Sequence, residues 1–202
     1  YRARYGSARD LYQQLFDSAR GRSVQHTVWG VYKLGELLLL EDGRHDDALP
    51  GQLEALELLK VEPEEPTEAA VNWLVGAIRY RQGDTVAASD TIHEAFQRVK
   101  KSPPNTHGML LAYTFGIWTL LDLQDEDPSP EIRKRVRFAL GQMGIFVFLF
   151  PFAKGRLSVL KARDALARGK PGKAEKLLRR AEALSGPRGM ALDCAMAQLV
   201  RG

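Results

Sequence analysis

The sequence predicts an all-α protein built from antiparallel helix hairpins, nine or ten helices in all. Three observations carry that expectation: small residues recur seven apart, apolar residues recur at helical spacing, and short glycine-centred turns separate the segments. A spacing of seven returns to the same helix face after two turns, so a stripe of small residues lets neighbouring helices approach closely. Turns this short force consecutive helices into antiparallel pairs.

The expected helices run over about 8–20, 24–41, 45–60, 67–82, 85–101, 106–123, 129–143, 153–168, 171–185 and 188–200. Ser7 stands ahead of "ARDLYQQLF" as a cap, and Pro66-Thr67 precedes "EAAVNWLV". Ser129-Pro130-Glu131 opens the seventh helix and Pro171 the ninth, each with proline in the first turn, where its missing N–H is harmless. The stops are "EDGR" at 41–44, "RQGD" at 81–84 and "ARGK" at 167–170, where glycine supplies the left-handed conformation that ends a helix tightly. The first helix of each pair carries a small residue: Gly35, Gly76, Gly116, Ala162 and Ala195. The second helix carries a pair seven apart: Ala48/Ala55, Ala88/Ala95, Ile132/Ala139 and Ala174/Ala181. Ile92, Val136 and Leu178 lie between the later pairs.

These positions resemble the tetratricopeptide repeat. Gly76, the turn glycine Gly83, Ala88, Ala95 and the aromatic Trp73 match that family's pattern, and residues 67–101 are the best match, with 155–187 the second. The family's closing proline is displaced to Pro63, Pro103 and Pro187. The resemblance implies a stack of hairpins, an α-solenoid, over 24–202. Its approximate repeats are 24–62, 67–102, 106–143 and 153–187, with a half-repeat at 188–202 and an N-terminal helix or cap at 1–23. More narrowly, Phe150-Pro151, the stretch from Gly169 to Ala174, and Gly189-Met190 look like the C-terminal repeat region of large bacterial multidomain signalling ATPases. The proline that group carries after the methionine is absent here.

In such an array the first helices line a concave groove. Counted from Gly35, the resemblance places Trp29, Tyr32, Glu36 and Leu39 there; from Gly76, Trp73, Ala77, Tyr80 and Arg81; from Gly116, Tyr113, Ile117 and Leu120. The family's basic clamp for acidic peptide ends is largely missing from these positions. Two readings stand: an aromatic groove suited to an apolar peptide or helix, or aromatic filling of a tightly wound, closed array. A similar choice attends "GIFVFLFPF" at 144–152, where Phe146, Phe148, Phe150 and Phe152 alternate. Pro151 disfavours an interior strand, so the stretch is expected to extend the seventh helix to about Phe150, with a new helix after Pro151. Its phenylalanines then either plug a widened gap between repeats or form an exposed apolar interface for a dimer or another domain.

Composition narrows function mostly by exclusion. With 45% apolar residues and 27% charged, the chain has material for a core and does not read as disordered. No run approaches the roughly 20 apolar residues of a membrane span, so membrane insertion is not expected. The opening "YRARYGSARD" lacks a signal-peptide core and a starting Met, which suggests an excised domain. One cysteine, Cys194, forms no internal disulfide and fits a reducing cytoplasm.

Net charge is uneven: 13 Lys/Arg against 20 Asp/Glu over residues 1–130, but 16 against 5 over 131–202. The basic half reads either as a surface for an anionic partner or as the solvated faces of amphipathic helices. No aromatic-plus-basic strand accompanies it, so nucleic acid is not the expected partner. No phosphate-binding glycine loop occurs, and "GKPGK" at 169–173 is a plain turn. His26, His45, His93 and His107 are scattered, "HDD" at 45–47 opens a helix, and Cys194 reads as a buried thiol. The expectation is therefore a non-catalytic protein-interaction scaffold without cofactor or metal, partnered by a protein, a peptide, another domain of its parent or a second copy. A small-ligand sensor using the aromatic groove is the alternative.

Overall fold

The computed structural model describes residues 2–40, 44–104 and 106–202, with side chains from residue 7 onward. Among these there are ten α-helices and no strand: α1 Arg2–Ala19, α2 Val24–Leu40, α3 His45–Val61, α4 Glu65–Arg81, α5 Thr85–Lys101, α6 Leu110–Glu126, α7 Pro130–Leu149, α8 Lys154–Ala167, α9 Pro171–Ser185 and α10 Ala191–Arg201. The chain is all-α. It falls into two compact units, Tyr1–Gly116 and Ile117–Gly202, and the division lies within α6.

In the first unit each helix packs on its successor, α1 on α2 through α4 on α5, and α2 also meets α4. The small-residue stripe explains why α4 and α5 lie so close. A Cβ on Gly76 would sit 2.4 Å from Ile92 Cγ1, while Ala88 and Ala95, on either side of Ile92, are fully covered. Gly83 closes α4 with φ near 87°, which only glycine adopts without strain, and Asp84 then caps α5 by accepting from the Ala87 N–H at 3.1 Å. The "EDGR" stop expected at 41–44 falls largely on residues outside the described ones.

In the second unit α7 packs on α8, α8 on α9, and α10 on both α8 and α9. Val159, Ala162, Ala165, Ala174, Leu178, Ala181 and Ala197 form its core, with Trp118 and Leu177 packed against it. Gly169 ends α8 at φ 67° and Pro171 starts α9, as the sequence indicates.

Three local expectations change. Helix α1 begins at Arg2, so Ser7 lies inside it rather than capping it. The anchor of α10 is Ala197, not Ala195: Asp193 is drawn inward by Arg156, and the residue four further on shares its face while Ala195 points to solvent. The Phe-rich stretch splits. Helix α7 runs to Leu149 with Phe150 at its C-cap, as expected, a 3-10 turn over Pro151–Ala153 then leads into α8, and only part of the aromatic set turns inward.

Candidate functional site

The residues placed in a concave groove are, for the most part, inside the first unit. Trp73 is fully covered, its ring 4.7 Å from Phe96 and 4.2 Å from Tyr113, and Phe96 and Tyr113 lie 5.6 Å apart. Gly116 permits this seam, since a Cβ there would stand 2.7 Å from Trp73 Cδ1. Tyr32, Leu39, Ala77, Ile117 and Leu120 are also buried. Of the two readings, these buried residues fit the aromatic filling rather than an open groove, with Gly116 letting Trp73 lie close to Phe96 and Tyr113. Trp73 Nε1 is buried without an acceptor, an unmet donor of the kind that costs about 1–3 kcal/mol.

The remaining members have structural work. Trp29, half-buried, directs its Nε1 toward Thr67 Oγ1 at 3.3 Å and Glu64 Oε2 at 3.4 Å. Arg81 donates to the Leu39 carbonyl at 2.9 Å, tying α4 to the end of α2, and Tyr80 is half-buried. Glu36 is buried in α2, where Oε2 accepts from Lys33 Nζ at 2.7 Å and Oε1 from the Ala112 N–H at 3.1 Å. The Lys33 ammonium also donates to the Gly108 carbonyl. This pair thus fills the first turn of α6 with a carboxylate, where a free N–H and the positive helix end favour one. Burial raises the Glu36 carboxyl above its ordinary range, with Lys33 and the Ala112 N–H opposing. The same burial, reinforced by Glu36, raises the Tyr32 hydroxyl.

The exposed features concentrate on α7. Phe146 is fully buried and stacks at 4.9 Å on Phe150, which is half-buried. Phe148 is 84% exposed, and Ile145 (47%) and Leu149 (45%) on the same helix and Phe152 (38%) in the turn after it are exposed as well. Of the two readings of this stretch, buried filling or exposed interface, Phe146 is on the buried side with Phe150 against it, while Phe148 and Phe152 are exposed. Helical geometry causes the split: positions 146 and 150 share a face, and position 148 lies opposite.

The same helix borders a cleft of about 440 Å³ with α8 and α9, lined by Arg137, Leu140, Gly141, Lys161, Asp164, Lys173 and Leu177. Asp164 is already engaged by Arg168 on both oxygens, at 2.9 and 2.7 Å. Arg137, Lys161 and Lys173 are exposed and make no ion pair or side-chain hydrogen bond among the described residues. Sequence reasoning registered the basic half but not this convergence, since the three cations lie on three helices and only the packing of α7, α8 and α9 brings them to one cleft.

No cluster of His, Cys, Asp or Glu suited to a metal occurs among the described residues. No described helix is long and apolar enough to cross a membrane. Comparison of the chain with protein-family models, curated proteins and solved structures finds no match.

Proposed function

We propose that the chain is a non-catalytic protein-docking domain, a tetratricopeptide-like helical array serving a larger signalling protein in the cytoplasm. The observation that carries this reading is the run of exposed large apolar residues at the end of α7, of which Phe148 is the most exposed at 84%. Large aromatic side chains grouped at a surface are the usual anchors of protein interfaces. Buried polar groups support the same reading from the other side. Glu36, Arg156 and Asp193 are each engaged by partners that hold helices together, and none lines the cleft on α7. The α2–α4 and α8–α10 packing, first helix against first helix of the next pair, is the contact pattern that stacked hairpins make.

The test is a photo-crosslinking residue at position 148 in the full-length gene product, irradiated in its native host, with position 22 as a surface control. A discrete adduct to one protein segment, within or between chains, is expected at 148 and not at 22. The adduct is expected to disappear with Ile145→Asp and Phe152→Asp. Labelling at 148 no more specific than at 22 refutes the reading.

A further inference from the structure

We infer that the α7–α8–α9 cleft takes an acidic peptide segment, whose carboxylates lie among Arg137, Lys161 and Lys173 and whose adjoining apolar side chains rest on the Phe148 cluster. The inference names the partner chemistry of the docking surface proposed above and rests on that reading. Its basis is continuity along one helix face. Arg137, Gly141, Gly144 and Phe148 follow at steps of four, three and four, which is one stripe of α7 leading from the cleft to the apolar cluster.

Charge complementarity fixes the chemistry. Three cations from separate helices line one cleft with no ion pair among the described residues, and the cleft's carboxylate, Asp164, is taken by Arg168. Lys173 stands in the first turn of α9, where the helix end already favours negative charge and no acidic residue is present. Leu140 and Leu177 give the cleft an apolar lining, which suits a peptide better than a free inorganic anion. A duplex nucleic acid would need a longer cationic track and a rigid register of phosphates. Arg137 lies on the second helix of its pair, so this cleft differs from the first-helix groove that the repeat resemblance implied.

The two glycines in the stripe fit the same picture. Both sit inside a regular helix, where glycine is unfavourable relative to alanine. A Cβ added to either would meet no atom within 4 Å, so neither packing nor backbone conformation in this chain requires glycine. Their absent side chains leave α7 open to close approach from outside.

The experiment is a fluorescence-anisotropy titration of the 202-residue chain with a labelled peptide of three glutamates followed by two leucines, at low salt. Saturable binding that weakens with added salt is expected. Lys161→Glu with Lys173→Glu is expected to weaken it by about tenfold or more, as is Gly141→Leu, which fills the cleft without touching a charge. Lys100→Glu with Lys101→Glu makes the same charge change on α5 and is expected to leave binding within about twofold. Circular dichroism checks that each variant stays folded.

Equal loss in the α5 control, undiminished binding by the Gly141→Leu variant, or equal binding of a peptide with three lysines overturns the inference. So does tighter binding of inorganic phosphate or a DNA duplex than of the peptide. Because the titration needs no native partner, peptide binding without a crosslink at 148 tells against the docking reading alone. A crosslink without peptide binding tells against the acidic chemistry alone.

Discussion

Removing the Asp193 carboxylate is expected to detach the last helix of the second unit. Asp193 is wholly buried in the first turn of α10, where Oδ1 accepts from Arg156 Nε at 2.6 Å and Oδ2 from Ser185 Oγ at 3.0 Å. Arg156 on α8 is itself buried, so Asp193→Ala removes the carboxylate that its Nε meets and leaves Ser185 without its acceptor. Breaking a buried pair from one side costs about 3–5 kcal/mol, because the abandoned charge keeps its desolvation penalty. At roughly 2–4 °C per kcal/mol for a chain of this size, the melting temperature is expected to fall by about 6–20 °C.

The pair need not be net stabilising for that to hold. Replacing both partners by apolar groups is often neutral or better, so Asp193→Ala/Arg156→Met is expected to recover at least about 2 kcal/mol of the single-variant loss. Urea unfolding followed by circular dichroism gives the free energies, and hydrogen exchange of the α10 amides reports where the opening occurs. Two outcomes refute the reasoning: a single-variant loss below about 1 kcal/mol, or a double variant equal to the sum of the two singles, which would mean the charges do not feel each other.

Two further predictions use the same inward logic. Gly116→Ala places a methyl 2.7 Å from Trp73 Cδ1, in a ring wedged between Phe96 and Tyr113. Overpacking of about 1–3 kcal/mol outweighs a helix-propensity gain near 1 kcal/mol, so net destabilisation in urea is expected; Gly141→Ala, in open space, is expected to stabilise by about 0.5–1 kcal/mol. For Glu36, burial holds the folded-state pKa above the unfolded value of 4.5, so the folded state keeps its proton longer. Stability from this group is then greatest below the unfolded value and declines as pH rises from there through the folded value. Glu36→Gln, which keeps an acceptor for the Ala112 N–H, is expected to gain on the wild type as pH rises across that window. A difference that is flat or falls with pH contradicts the assignment.

The helices were legible because their causes are local. Pro130 and Pro171 open helices, Gly83 and Gly169 close them, and the alanines seven apart in α5 and α9 mark the buried faces. Sequence patterning was less able to tell an aromatic on a groove from an aromatic in a seam. Trp73 and Tyr113 occupy helical positions that fit either, and only the close approach of α6 to Trp73 at Gly116 decides. The register of α10 failed for a different reason: the small residue Ala195 suggested a packing face, but one buried ion pair at Asp193 rotates the helix by its own demand for a partner. Clusters assembled from separate helices, such as Arg137 with Lys161 and Lys173, leave no local signature at all.

The charge asymmetry can be followed to its consequence. All five carboxylates between residues 131 and 202 are engaged by arginines within the second unit: Glu131 by Arg135, Asp164 by Arg168, Glu175 by Arg179 and Arg201, Glu182 by Arg201, and Asp193 by Arg156. Hydrogen bonds from Arg179 and Arg201 to Glu175, and from Arg201 to Glu182, hold both half-buried carboxyls below the usual range. Arg163 pairs with two acids that precede this segment, Asp122 and Asp125 on α6. No acid in this segment is left over to neutralise Arg137, Lys161 or Lys173. Arginine, with its planar fork, holds the structural pairs, and the unpaired set is mostly lysine, whose point charge adapts to an incoming anion. A solvated helix face distributes such charges around its exposed arc, whereas these three converge on a concave surface with leucines behind them. That convergence, more than the net charge of the segment, favours a bound acidic partner over mere solvation.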